Sequence, residues 1–162
     1  MKKIYIIITL VLLVFVTSCT GYKPIFSSKN LNFKLSDFSL GGDKKISNKI
    51  YSKLYNLSRS SKNDLGALSI SVEINSEKEK VSTAKDKAGK VLEYKITLNT
   101  DIEVRDFNTN KKILDQIFTS SSSYRVQSQY SETVKLENKL LDSLVNKNYQ
   151  DLLIKLSQNI IR

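Results

Sequence analysis

Between Leu68 and Asn75 every second residue is apolar: Leu68, Ile70, Val72 and Ile74 alternate with Ser69, Ser71, Glu73 and Asn75. A period of two places the first set on one face of a strand and the second on the other. The same alternation runs from Leu92 through Tyr94, Ile96 and Leu98, skips Thr100, and resumes at Ile102 and Val104. Glu93, Lys95, Thr97, Asn99, Asp101, Glu103 and Arg105 fall on its wet side. Between these two strands the charged stretch from Glu77 to Lys90, which includes Gly89, predicts a hairpin connection. After a turn at Asn108-Thr109-Asn110-Lys111, Ile113 to Val126 reads as a third consecutive strand. The adjacent pairs Ile113-Leu114 and Ile117-Phe118 leave its phase open, while Tyr124 and Val126 restore the alternation beyond the serine run Ser120 to Ser123. Upstream, Leu31, Phe33 and Leu35 alternate, and Phe38 and Leu40 continue in the opposite phase, which predicts a bulge or bend near Ser36-Asp37.

Two stretches have the longer period of a helix. Ile46, Ile50, Leu54 and Leu57 recur at spacings of four, four and three, with Lys45, Lys49, Lys53 and Asn56 elsewhere on the wheel. Gly41-Gly42 closes the preceding strand and Asp43 is placed to cap this helix. From Tyr130 and Val134, through Leu140, Leu141, Leu144, Val145, Tyr149, Leu152, Leu153 and Leu156 to Ile160, a second stripe predicts one long helix; Glu137 interrupts it and allows a kink before Leu140. Strands wet on one side need a cover on the other, and two amphipathic helices supply it. The expected fold is therefore α+β: a two-layer sandwich of two helices on a mixed four-stranded sheet, in the order β-α-β-β-β-α, with residues 31–162 as a single domain.

The N-terminal residues change the picture from a domain to an exported one. Met1-Lys2-Lys3 precedes an apolar run from Ile4 to Val16 and the small pair Thr17-Ser18, the layout of a secretory signal over residues 1–18. That run is shorter than the roughly 20 residues of a membrane-spanning helix. Val16-Thr17-Ser18-Cys19 resembles the bacterial lipobox, which implies cleavage after Ser18 and acyl chains on Cys19. Residues 19–30, which include the only proline, then form a lipidated tether. Thr20 follows the cysteine where an aspartate would favour the inner membrane, so the resemblance implies the outer membrane. With Cys19 acylated, no thiol remains for a disulfide.

The chain has 26 basic and 16 acidic residues, and removing Lys2 and Lys3 with the leader takes the formal charge from +10 to +8. An anionic neighbour fits this balance, and export makes nucleic acid an unsuitable one. Lysines gather in the first hairpin (Lys78, Lys80, Lys85, Lys87, Lys90) and the second (Lys111, Lys112), and such tips on one end of a sheet would bind glycolipid phosphates as point charges. Catalytic chemistry finds little support: there is no histidine and no glycine-rich phosphate loop, and Asp101, Glu103 and Asp106 read as the wet side of a strand rather than as metal ligands. No enzyme, metal or cofactor is expected.

Gly21-Tyr22-Lys23-Pro24-Ile25-Phe26, just after the lipobox cysteine, resembles the Gly-aromatic-x-Pro-aliphatic-aromatic start of the lipopolysaccharide-assembly lipoproteins, the LptE family, in its alphaproteobacterial form. The stretches Gly89 to Asp106 and Ile113 to Val126 and the helix led by Tyr130 follow that family's order. The resemblance implies an outer-membrane lipoprotein, facing the periplasm or a barrel lumen, that plugs the β-barrel translocon LptD, supports its assembly and handles lipopolysaccharide. The alternative is a lipoprotein that binds a peptide or protein partner in another envelope-assembly complex.

Overall fold

A computed structural model describes residues 31–60 and 66–160; the leader, Cys19 and the tether expected over residues 19–30 lie outside the described residues. The elements are β1 (Phe33–Gly42), α1 (Lys44–Ser60), β2 (Leu68–Lys85), β3 (Val91–Asp106), β4 (Lys112–Arg125) and α2 (Tyr130–Ile160). The strands form one sheet in chain order, with β1 parallel to β2 and the other pairs antiparallel. This is the α+β arrangement that the periodicities predict. Ile70, Val72, Ile74, Ile96, Leu98, Ile102 and Val104 are buried on one face of the sheet, beneath Ile46, Ile50 and Leu54 of α1 and Leu144, Val145, Leu152 and Leu156 of α2.

Local chemistry sets the element ends. The phase flip in β1 is a register shift between Leu35 and Asp37, which keeps Phe38 and Leu40 on the face they share with Val72 and Ile74. Asp43 caps α1, its Oδ1 accepting the N–H groups of Lys45 at 3.1 Å and Ile46 at 3.2 Å. Just before it, Gly42 has φ +62° and a Cβ there would stand 2.2 Å from the Ser76 carbonyl oxygen, so only glycine lets the chain leave the sheet at this point. The Asp43 N–H then donates to that same carbonyl at 2.7 Å.

β1 therefore stops opposite Ser76, whereas β2 continues to Lys85 against β3. This corrects the expectation that the residues from Glu77 belong to a hairpin loop. Lys78 pairs with Leu98 and Lys80 with Ile96, and these lysines can stay on the helix-covered face because Glu137 meets both of them there. The sheet is four strands wide near the chain's entry at Leu31 and three strands wide toward the β2–β3 turn. The serine run is strand, as expected, and the phase of β4 is now settled: Leu114, Phe118, Ser120 and Tyr124 face the helices, while Ile117 faces outward at 61% exposure.

α2 is one uninterrupted helix of 31 residues, with no break at Glu137. Its course is fixed by three bonds to β4 or its surroundings: Ser120 Oγ donates to the Leu144 carbonyl, Asn148 Nδ2 to the Phe118 carbonyl, and Asn159 Nδ2 to the Ile113 carbonyl. Rising numbers in α2 meet falling numbers in β4, so the two run antiparallel. Asn148 is fully buried, and its Nδ2 also donates to the Leu98 carbonyl at 3.2 Å and to Thr100 Oγ1 at 3.0 Å. Thr100, the gap in the apolar alternation of β3, is thus one of the points at which the helix bonds to the sheet. Among the described residues, no helix is long and apolar enough to cross a membrane.

Candidate functional site

The lysines singled out from the sequence are divided by the topology. Successive turns of an antiparallel meander fall at opposite ends of the sheet. β3 joins the two, and its 16 residues at ~3.3 Å each separate the turns by about 50 Å. The two lysine groups therefore do not share one end, which corrects the expectation of a single basic rim.

The first group is divided again by secondary structure. Lys78 and Lys80 lie on β2, in register with the buried residues of the helix-covered face rather than in the turn. Glu137 of α2 meets both, at 3.6 Å from Lys78 and 2.6 Å from Lys80, and its Oε2 also accepts the Tyr124 hydroxyl at 2.7 Å. The Lys80 ammonium stands 4.3 Å from the centroid of the Tyr94 ring. Burial opposes charge on both partners, but the mutual hydrogen bond, joined by the one to Tyr124, outweighs it: Lys80 is raised above its ordinary value and Glu137 is lowered below its own. For the Tyr124 hydroxyl, burial is the largest cause of a raised pKa. These two lysines serve the packing of α2 and are poor candidates for an external anion.

Lys85, Lys87 and Lys90 remain at the turn, exposed and with no ion pair among the described residues. The turn itself is ordered by Asp86, whose Oδ1 accepts the N–H groups of Ala88 and Lys90, both at 2.9 Å. Three cations are thus carried on a braced loop at the narrow end of the sheet.

The second group is weaker. Lys112 opens β4 and is bonded to Asp115 at 2.5 Å, the chief cause of its raised pKa. Lys111 follows Asn110, which adopts φ 57°, in a turn held by Asp106; that carboxyl accepts the N–H groups of Thr109 and Asn108 and is lowered chiefly by the first bond. This turn lies at the end where the chain enters, since the Leu68 N–H bonds the Asn32 carbonyl and the Phe107 N–H the Ser69 carbonyl.

The sequence reading missed Glu137 as a partner and Asn148 as a clamp. Glu137 carried a signal, being a carboxylate in an apolar stripe; Asn148 carried one only through its pairing with the polar gap at Thr100.

No family model matches the chain, and no curated protein matches it by sequence. Solved structures share its fold. An uncharacterized lipoprotein B from Nitrosomonas europaea is similar at a TM-score of 0.58 and 14% identity, over 82% of this chain and 88% of that one. A minor lipoprotein from Acinetobacter baumannii is similar at 0.54 and 16%, over 80% and 94%. A Caulobacter crescentus protein described as a lipoprotein is similar at 0.56 and 7%, over 81% and 89%.

Proposed function

We propose that this chain is an exported lipoprotein, anchored in the outer membrane through acylated Cys19, that works with an LptD-type β-barrel in delivering lipopolysaccharide to the outer leaflet. The observation that carries the reading is a conjunction: the fold is one that solved bacterial lipoproteins adopt, and this chain's own leader ends in the lipobox-like Val16-Thr17-Ser18-Cys19. A single acyl chain holds a protein only marginally, so stable anchoring calls for more than one. The pattern from Gly21 to Phe26 supports the assignment to the translocon, and the free lysines at the β2–β3 turn support contact with a phosphorylated glycolipid.

The geometry adds an orientation to this reading. The tether joins the domain at Leu31, beside the β3–β4 turn, and its residues 19–30 reach at most about 40 Å when fully extended. Lys85, Lys87 and Lys90 stand at the far end of the sheet, so in this reading they meet glycolipid away from the anchoring leaflet, within the barrel or on its path.

A gentle-detergent pull-down of the C-terminally tagged chain from its native envelope, with the intact mass of the bait, tests the proposal. A stoichiometric large β-barrel and a lipid-sized mass increment at Cys19 are expected. A lipidated bait without a barrel would refute the translocon assignment; an unmodified Cys19 would refute the anchor.

A further inference from the structure

Among the described residues the sheet has two free margins, and they differ in how they are protected. Natural edge strands are blunted by lysines, prolines or bulges, because an open row of N–H and C=O groups recruits other strands. On one margin β1 is broken by its bulge, and the extension of β2 carries Lys78 and Lys80 and shifts register between Ser82 and Lys85. On the other margin β4 has none of these over Gln116 to Tyr124: no charge, no proline and no register shift.

The direction of the free groups follows from the ladder. The Val126 N–H bonds the Leu92 carbonyl, so even-numbered residues of β4 turn toward β3. In an antiparallel strand the orientation alternates residue by residue, which aims the backbone groups of Asp115, Ile117, Thr119, Ser121 and Ser123 off the edge. α2 shelters this edge from one side. Ile117 and Phe118 of β4 together with Ile154 of α2 line a groove of about 300 Å³, and Asp151 and Lys155 flank it. Neither of these two charges forms an ion pair among the described residues.

We propose that this groove takes an extended segment of a partner protein as a fifth strand, antiparallel to β4 and uncharged except for a basic residue followed two positions later by an acidic one. The charge pattern is set by spacing. Asp151 and Lys155 are one helical turn apart, about 6 Å along the axis at 1.5 Å per residue. Residues on one face of a strand repeat every ~6.6 Å, so a pair two positions apart meets both charges at once. α2 runs antiparallel to β4, so an antiparallel guest runs with α2 and meets Asp151 before Lys155, which puts the basic residue first. Backbone bonds to the edge supply affinity and the two ion pairs supply direction, the usual division in strand addition.

The test uses the full chain in nonionic detergent and a fluorescein-labelled, acetylated and amidated nine-residue peptide of alternating threonine and valine carrying lysine and, two positions on, glutamate. Fluorescence anisotropy is expected to show saturable binding, roughly fivefold tighter than for the peptide with lysine and glutamate exchanged, the size of two exposed ion pairs. The double variant Asp151→Lys, Lys155→Asp is expected to reverse that preference, and Thr119→Pro, which removes an edge donor, to abolish binding. No binding, equal affinity for the two peptides, or an unchanged preference in the double variant would overturn the proposal. If Thr119→Pro unfolds, the charge exchange still decides. A dimer in light scattering that is lost in Thr119→Pro would assign the edge to a second copy and refute the partner strand.

Discussion

Replacing Asn148 by leucine tests whether a single buried amide fastens α2 to the sheet. Its Nδ2 donates to two strand carbonyls, at 3.2 Å and 3.0 Å, and to Thr100 Oγ1 at 3.0 Å. The amide has two N–H donors shared among these three acceptors, so it supplies about two bonds at about 1 kcal/mol each, roughly 2 kcal/mol together. Two effects offset the loss. The Asn148 Oδ1 is buried without a hydrogen-bond partner, and removing it relieves about 1 kcal/mol or more. Leucine also buries more apolar surface at similar volume. The expected net destabilisation is about 1 kcal/mol, part of which arises because Thr100 Oγ1 is left dry and unpaired. That part disappears if Thr100 is valine, since replacing both partners by apolar groups is close to neutral. In a double-mutant cycle of Asn148→Leu and Thr100→Val, the double variant should therefore lie about 1 kcal/mol closer to the parent than the sum of the singles. Urea unfolding followed by far-UV circular dichroism on all four chains measures this; the chain has eight tyrosines and no tryptophan, so intrinsic fluorescence is the weaker probe. Additivity within about 0.3 kcal/mol would refute the clamp.

Glu137→Gln should lower stability by about 2 kcal/mol near neutral pH, since hydrogen bonds to charged groups are worth roughly 1.5–3 kcal/mol. The Glu137 carboxyl is lowered from 4.5 by its partners, so its contribution is present above that value and lost as pH falls through the depressed one; thermal melts of parent and variant should converge in acid. On the alkaline side Lys80 is raised from 10.5, so its share is complete below that value and fades as pH rises through the elevated one. Gly42→Ala meets both a positive φ and the Ser76 carbonyl, and is expected to cost well over 1 kcal/mol in thermal or urea unfolding; a neutral result would refute the account of how β1 ends. Changing Lys85, Lys87 and Lys90 together to glutamate should weaken binding to lipopolysaccharide in a direct titration by an order of magnitude or more while leaving the melt unchanged, whereas the same change at Lys78 and Lys80 should lower the melt; unchanged affinity in the first variant would remove the β2–β3 turn from the proposal.

The architecture was legible where one face of an element is dry. Leu68 to Ile74 and Leu92 to Val104 alternate because the helices cover one side, and the phase flip at Ser36-Asp37 announced the register shift seen between Leu35 and Asp37. The extension of β2 was not legible, because Lys78 and Lys80 occupy positions where the pattern asks for apolar residues. What lets them stay is Glu137, 57 residues beyond Lys80, a pairing that local periodicity does not reveal. From the other side the same carboxylate looked like a break in α2. The lysine tips were visible as composition, but their separation is a property of the meander and follows only once three strands are joined end to end. The open edge of β4 was hidden because Ile117 and Phe118 read as one ambiguous pair until the register gave each its own side.

Because β1 ends at Gly42 while its neighbour runs on to Lys85, the molecule is built like a cantilever. Its root is gripped by four strands and two helices; its free span has three strands and the first turns of α2. Opening should therefore begin at the tip and travel inward, with amide protons near Ser82 and Val91 exchanging long before those of Ile74 and Ile102. A ligand gripping the tip should slow this opening where it starts, so that protection rises first at the β2–β3 turn and least at the root, which is already closed.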